Sequence, residues 1–292
     1  MTTKEQNVRD QVSKDYAAAV TRPSPDSCCG TVEDRRKGVA VKSAGYTPEE
    51  LASLPDDAVV NAFGCGNPTA FTGVTEGDVV LDLGSGAGID VLLAARKVGP
   101  TGRAIGIDMT DEMLAKANEN IAASGLTNAE VRKGIIEDLP VADSSVDWVI
   151  SNCVINLSPE KDKVFAEIAR VLKPGGRMLV SDIVVEDLPQ WARENSQLYS
   201  SCVAGAISEE QYIQGLNDAG LEEVEVIDRV IYESNQLEAF INSELKGDSS
   251  ENASSCCGTS FNGSGITPDM AKTIATEMNG KVWSAVFRAR KS

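Results

Sequence analysis

The stretch that decides the fold is residues 79–90, which read Val-Val-Leu-Asp-Leu-Gly-Ser-Gly-Ala-Gly-Ile-Asp. An apolar run of strand length carries Asp82 near its end, and glycines follow at alternate positions, Gly84, Gly86 and Gly88. The apolar residues that come next are compatible with a helix. A strand, a glycine turn and a helix in this order bring backbone N–H groups and a helix N-terminus against a ligand.

The spacing of the glycines separates two kinds of nucleotide site. A dinucleotide fingerprint would place its third glycine at position 89, which is Ile89. The pattern Asp-x-Gly-x-Gly-x-Gly instead resembles the first motif of S-adenosylmethionine-dependent methyltransferases, and a purely structural tight turn is the alternative. The resemblance implies that the residues binding the amino-acid end of the cofactor include Asp82, Gly84, Ser85, Gly86 and Gly88.

Acidic and polar residues end the strands that follow. Residues 103–108 are predicted as a second strand, and the carboxylate of Asp108 at its tip suits the two hydroxyls of a ribose. The acidic turn at 134–140 resembles the adenine-contacting segment of methyltransferases. A fourth strand at 146–153 would end facing the transferring methyl group. The further cofactor-binding residues predicted here are Asp108, Met109, Ile136, Glu137 and Asn152.

Strands alternate with helices along residues 79–183, which predicts an α/β fold with a doubly wound, mainly parallel sheet of the class I methyltransferase type. Residues 1–187 are predicted to form the S-adenosylmethionine-binding domain together with an N-terminal cysteine-bearing segment. Residues 188–292 are predicted to form a smaller α+β C-terminal part that binds the substrate. Ligands of such sheets lie outside the carboxyl ends of the strands.

Composition and charge exclude several functions. The chain of 292 residues has 27 basic and 44 acidic residues, a formal net charge of −17 and no histidine. Nucleic acids and anionic membranes both require a basic face, so neither is an expected partner. The lack of histidine excludes imidazole bases and histidine-ligated metals. No apolar run reaches membrane-spanning length and no signal peptide is visible, so we expect a cytoplasmic protein.

The cysteines are the unusual part of the composition. There are seven, an odd number, and no Cys-x-x-Cys occurs. Neither a secreted disulfide framework nor a zinc ribbon fits, which favours reduced thiols that act as soft ligands or redox centres. The string Ser-Cys-Cys-Gly-Thr occurs twice, at 27–31 and at 255–259. Adjacent cysteines favour soft-ion binding or thiol exchange over a structural crosslink.

The chain resembles the S-adenosylmethionine-dependent arsenite methyltransferases. Two stretches are specific for that family, Gly-Cys-Gly-Asn-Pro at 64–68 and Asn-Cys-Val-Ile-Asn-Leu at 152–157. The resemblance implies that Cys65, Cys153 and Cys202 handle arsenic, with Cys153 and Cys202 holding it and Cys65 serving the redox part of the cycle. It also implies a redox role for Cys28 and Cys29. The role of Cys256 and Cys257 stays open.

The chemistry agrees with that resemblance. Trivalent arsenic is soft and thiophilic, and thiolates that hold it leave its lone pair free to attack a sulfonium methyl group. The resemblance implies arsenite and methylarsenite as substrates, and a thiol reductant of the thioredoxin or glutathione type as a partner. Two alternatives stay open. One is a methyltransferase for a small organic acceptor such as a quinone or phenol, and the other is a soft-metal thiol-binding protein on a methyltransferase fold.

Overall fold

The computed structural model of the protein describes residues 3–21, 46–62, 67, 73–188, 190–193, 202–234, 237 and 268–292. Cys153 and Cys202 lie within these ranges. The residues predicted to have thiol functions that lie outside them are Cys28, Cys29, Cys65, Cys256 and Cys257.

The strands of the described chain are β1 (Val79–Leu83), β2 (Arg103–Asp108), β3 (Ala129–Lys133), β4 (Val146–Asn152), β5 (Leu172–Val185), β6 (Leu221–Ile231) and β7 (Val282–Lys291). They form one seven-stranded sheet in the order β3-β2-β1-β4-β5-β7-β6. Strands β1 to β5 are parallel, whereas β7 runs antiparallel to β5 and β6. The predicted doubly wound, mainly parallel α/β sheet is confirmed.

The helices of the described chain are α1 (Thr3–Thr21), α2 (Pro48–Ala52), α3 (Asp56–Val60), α4 (Ile89–Val98), α5 (Asp111–Ser124), α6 (Lys161–Val171), α7 (Gln190–Arg193), α8 (Glu209–Asp218) and α9 (Pro268–Glu277). A 3₁₀ turn covers Ile155–Leu157. Thr47 caps α2 through a reciprocal capping box with Glu50. Among these described helices, none combines the length and the apolar character needed to span a bilayer.

Alternating side chains of the central strands cover both faces of the sheet. On one face, Leu81 of β1 belongs to the same buried cluster as α6 and α8, where the ring of Tyr212 stacks on Phe287 with centroids 4.0 Å apart. On the other face, Val80 packs against Val91 of α4. Burying each large apolar side chain contributes roughly 1.5–3 kcal/mol, so these layers hold the strand ends in fixed positions.

The described sheet crosses the predicted division at residue 187. Strands β6 and β7 complete the sheet that β1 to β5 begin, so the two predicted parts share one layer. Strand β5 begins at Leu172, directly after α6. A register shift between Val146 and Trp148 of β4 accommodates the Pro-Gly-Gly stretch at 174–176 in β5.

The strand order reverses between β1 and β4, because the chain passes from β3 at the edge back across β1 to β4. At such a switch point the connections leave in opposite directions and open a crevice at the carboxyl ends of the strands. The residues that directly follow β1, β2 and β4 therefore meet in one place.

Candidate active site

The turn after β1 has backbone dihedral angles and a close packing contact that favour glycine over residues with a side chain. Gly84, Gly86 and Gly88 have φ of 66°, 52° and 92°, all in the left-handed region. A Cβ on Gly84 would lie 2.5 Å from the side chain of Val154. Gly88 is the N-cap of α4 and does not line the pocket beside the turn. The turn thus combines a close approach to the loop after β4 with a helix start.

Asp108 at the end of β2 holds this turn in place. Its Oδ2 accepts from the Gly86 N–H at 3.0 Å and its Oδ1 from the Thr110 N–H at 2.8 Å. Burial raises the pKa of Asp108, and these backbone hydrogen bonds oppose that rise. A carboxylate offers about four acceptor positions, so two remain for further donors such as ribose hydroxyls.

A pocket of about 980 Å³, a volume that includes its open mouth, lies at the switch point. The cofactor-binding residues predicted from the sequence that line it are Asp82, Gly84, Ser85, Gly86, Asp108, Met109, Ile136, Glu137 and Asn152. Cys153 lines it as well. The structure therefore brings the predicted residues to one concave site, Gly88 excepted.

Two carboxyl groups are buried at one end of the pocket. Burial raises the pKa of Asp82 well above its usual value, and the neighbouring Asp90 and Asp108 raise it further. Burial raises the pKa of Asp90 to about 6, opposed by hydrogen bonds from Tyr46 and Asn152. The Tyr46 hydroxyl donates to Asp90 at 2.9 Å. A cationic group bound here would offset this unfavourable burial of carboxylates.

The pocket is also lined by residues of helix α1 that sequence reasoning missed. Helix α1 contributes Arg9, Val12 and Tyr16 to the lining. The Arg9 guanidinium donates from Nε and Nη2 to Glu137 Oε1, at 3.1 and 3.0 Å, and from Nη2 to Glu160 at 2.6 Å. The available signal was the apolar spacing along α1, which indicates that one face of the helix is covered.

The two described cysteines lie together beside the pocket. The Cys202 Sγ donates to the Cys153 carbonyl oxygen at 2.8 Å, and both residues are buried. Their φ values are 60° for Cys153 and 64° for Cys202. Such values are uncommon outside glycine and concentrate at functional sites. Cys153 is disulfide-bonded, whereas the thiol of Cys202 is reduced.

A buried polar network fixes the turn that follows Cys153. Asp182 accepts from the backbone N–H of Asn156 at 3.2 Å and from its side-chain amide at 2.8 Å. Burial raises the pKa of Asp182 to about 7. Lys161 donates to the backbone oxygens of Asn156 and Ser158, and burial lowers its pKa to about 8. Because these groups lie under the turn, they restrict how far the backbone at Cys153 can move.

The residues described by the structure contain no group of three or more His, Cys, Asp or Glu side chains that could hold a metal ion. The predicted arsenic ligands Cys153 and Cys202 are described, whereas Cys65 is not. The geometry of a three-thiol site therefore stays a prediction.

Comparison with known proteins places the chain in a family. The model of the methyltransferase domain family matches residues 74–220. The arsenite methyltransferase of Halobacterium salinarum is 43% identical over 233 residues, which are 76% of this chain and 59% of that protein. The arsenite methyltransferase of Aquipseudomonas alcaligenes is 41% identical over 165 residues, or 54% of this chain and 47% of that protein.

A solved structure agrees with these relatives. The arsenic(III) S-adenosylmethionine methyltransferase of Chlamydomonas reinhardtii is 30% identical, with a TM-score of 0.60, and the match covers 85% of this chain and 72% of that one. The sheet topology, the glycine turn and the family match define a methyltransferase domain. Within that class, the chain belongs to the arsenite methyltransferase family. It spans between about half and three fifths of the length of the two curated relatives.

Proposed function

We propose that this protein transfers methyl groups from S-adenosylmethionine to thiol-bound trivalent arsenic. The observation that carries the proposal is the position of the two cysteines. Cys153 lines the pocket beside the glycine turn, and the Cys202 sulfur lies 2.8 Å from its carbonyl oxygen. The arsenite methyltransferases named above support the choice of acceptor.

The residues of the pocket fit S-adenosylmethionine. Asp82 and Asp90 would lie near its ammonium group and its sulfonium, and these positive charges suit two buried carboxylates. Asp108 has remaining acceptor capacity for the ribose hydroxyls. Glu137 lies in the turn after β3, where it would accept from the adenine amino group. When bound, the cofactor supplies an electrophilic methyl group on a sulfonium.

The thiols provide the other half of the chemistry. Thiolates of Cys153 and Cys202 displace hydroxide from arsenite and hold the arsenic beside the pocket, with its lone pair as the nucleophile. Positioning supplies the catalysis, so no general base is needed. Methyl transfer raises arsenic formally to the pentavalent level. Two electrons from a pair of cysteine thiols, which become a disulfide, return it to the trivalent level.

A thiol-reducing system belongs to this proposal. The disulfide at Cys153 must be reduced before its sulfur can bind arsenic. A small thiol or a protein of the thioredoxin or glutathione type would do this by thiol–disulfide exchange. We assign Cys65, Cys28 and Cys29 to the redox part of the cycle. Cys256 and Cys257 would collect arsenic or relay electrons without taking part in methyl transfer.

A small organic acceptor is the less favoured alternative. The demethylmenaquinone methyltransferase of Listeria monocytogenes is 32% identical over 118 residues, which are 40% of this chain. That acceptor class leaves the buried pair of Cys153 and Cys202 without a role. An assay of the reduced protein with S-adenosylmethionine, small thiol and either arsenite or a quinone separates the two. Methylated arsenicals in the mass spectrum support the proposal, whereas turnover of the quinone alone overturns it.

A further inference from the structure

A tyrosine behind the pocket wall connects two side chains of that wall. The Tyr46 hydroxyl donates to Asp90 Oδ1 at 2.9 Å and accepts from Asn152 Nδ2 at 3.1 Å. The same amide nitrogen donates to Asp90 Oδ2 at 3.3 Å, which closes a ring of three hydrogen bonds. Asp90 and Asn152 line the pocket, whereas Tyr46 does not. An effect of Tyr46 on a ligand in the pocket is therefore transmitted through these two residues.

The two residues that Tyr46 holds belong to different halves of the site. Asp90 lies in the first turn of α4, directly after the glycine turn that we assign to the cofactor. Asn152 is the last residue of β4 and precedes Cys153, which we assign to arsenic. Asp90 and Asn152 are 62 positions apart in the chain, so tertiary contacts must set the distance between them. The ring of hydrogen bonds is such a contact.

Burial and packing hold the ring of hydrogen bonds in one geometry. Tyr46 is 7% exposed and Asp90 is 3% exposed. Tyr46 belongs to an apolar cluster that includes Leu54, between α2 and α3, and Leu93 of α4. Burial raises the pKa of Tyr46 well above its usual value, so the hydroxyl stays protonated and can donate. Hydrogen bonds to a buried carboxylate are stronger than those in water, which favours a fixed arrangement.

We propose that Tyr46 is a positioning residue for methyl transfer. Its hydroxyl ties Asp90 on the cofactor side to Asn152 beside the arsenic thiol, and thereby fixes the distance between methyl donor and acceptor. In the transfer, the arsenic lone pair forms the bond to the methyl carbon while the carbon–sulfur bond breaks and its electron pair stays on sulfur. An error of about 1 Å in such an alignment costs roughly 100-fold in rate. The inference rests on the proposed function, but it concerns alignment and not the affinity for either ligand.

The first test uses Tyr46→Phe, which removes the hydroxyl and keeps the ring. Single-turnover methyl transfer is measured at pH 8 with reduced protein, small thiol, and saturating arsenite and S-adenosylmethionine. Calorimetry measures the binding of S-adenosylhomocysteine and of arsenite separately. We expect the rate to fall at least roughly tenfold while both affinities stay within about twofold of the wild-type values.

The outcomes of this test separate the positioning role from the proposed function. A wild-type rate in Tyr46→Phe overturns the positioning role alone. An affinity that falls as much as the rate makes Tyr46 a residue for binding and overturns the positioning role as well. Absence of methyl transfer in the wild-type protein overturns the proposed function, and the positioning role with it.

Leu54→Ala is the matched control, because it loosens the same apolar cluster and leaves the hydroxyl in place. It should lower the urea midpoint of unfolding more than Tyr46→Phe does and keep the wild-type single-turnover rate. A second readout needs no turnover. With S-adenosylhomocysteine bound, hydrogen exchange at residues 150–154 should be faster in Tyr46→Phe and unchanged in Leu54→Ala. Wild-type exchange in Tyr46→Phe, or an equal loss of rate in the control, would contradict the proposal.

Discussion

At the scale of single residues, the site is governed by carboxyl groups that folding removes from water. Because the protein has no histidine, groups of another type must change their protonation state near neutral pH. Asp82, Asp90 and Asp108 lie together around the glycine turn. Their raised pKa values show that burial disfavours their charged forms. A cationic ligand reverses that preference, so its binding is linked to proton release.

The pH dependence of ligand binding follows from Asp90. Its pKa of about 6 means that the carboxylate is charged at pH 8 and protonated at pH 5. The sulfonium of S-adenosylmethionine gains from that charge, whereas the neutral sulfur of S-adenosylhomocysteine does not. Calorimetry from pH 8 to pH 5 should show the preference for S-adenosylmethionine fall by roughly tenfold. In Asp90→Asn the preference should stay flat, and a constant ratio in the wild type would contradict this account.

The thiol of Cys202 is expected to decide arsenic binding. Cys202→Ser replaces a soft sulfur by a hard oxygen at nearly the same volume, so reduced variant protein should bind arsenite at least roughly tenfold more weakly. Binding of S-adenosylhomocysteine should not change and serves as the internal control. Titration of arsenite against reduced, desalted protein measures the effect. Unchanged arsenite affinity would remove Cys202 from the site.

At the scale of elements, local patterns predict the turn but not the helix that covers it. Asp108 and the glycines belong to one strand–turn–helix–strand unit, so the contact between them can be predicted from residues that are close in the sequence. Arg9 meets Glu137 across 128 positions of the chain. The polar helix α1 has one apolar stripe, formed by Val8, Val12, Tyr16 and Val20. This stripe indicates that one face of the helix is covered, but it does not identify the element that covers it. Long-range packing decides that contact, and no local propensity encodes it.

Close packing of the glycine turn on β2 is open to a direct test. A Cβ at Gly106 would lie 2.6 Å from the Ser85 side chain and 2.7 Å from Val91. We expect Gly106→Ala to lower the free energy of unfolding by about 1–3 kcal/mol and to weaken binding of S-adenosylhomocysteine, because the turn must shift. Urea unfolding and calorimetry measure the two effects.

Gly125→Ala is the control for Gly106→Ala. Gly125 has a φ of 69° and nothing within 4 Å of its added Cβ. Backbone strain should cost the control about 1 kcal/mol of stability while its ligand affinity stays at the wild-type value. If Gly106→Ala also kept full affinity, the packing of β2 would not be what positions the turn.

At the scale of the whole molecule, a buried acid links stability to pH. Asp182 is fully buried with a pKa of about 7, far above its value in an unfolded chain. A raised carboxyl pKa contributes stability that is full below about pH 4 and is lost as pH rises through 7, by roughly 1.4 kcal/mol per pKa unit. Urea unfolding at pH 8 and pH 5 should therefore show a gain on acidification that is smaller in Asp182→Asn.

The matched control for Asp182→Asn is Glu222→Gln, at an exposed position of β6. It removes one carboxyl group of the same charge but without burial. Its pH dependence should parallel that of the wild type. Parallel curves for Asp182→Asn as well would show that this carboxyl group is not held in its neutral form by the fold.

The central claim is that the paired cysteines present arsenic to the cofactor. The most direct measurement mixes reduced protein with arsenite, excess small thiol and S-adenosylmethionine carrying a trideuterated methyl group. The arsenicals are then separated, and their masses are measured by mass spectrometry. The account predicts trideuteromethyl arsenicals from the wild type and none above background from Cys202→Ser protein that still binds S-adenosylhomocysteine. Arsenic without the label in the wild type, or equal labelling by the variant, would contradict it.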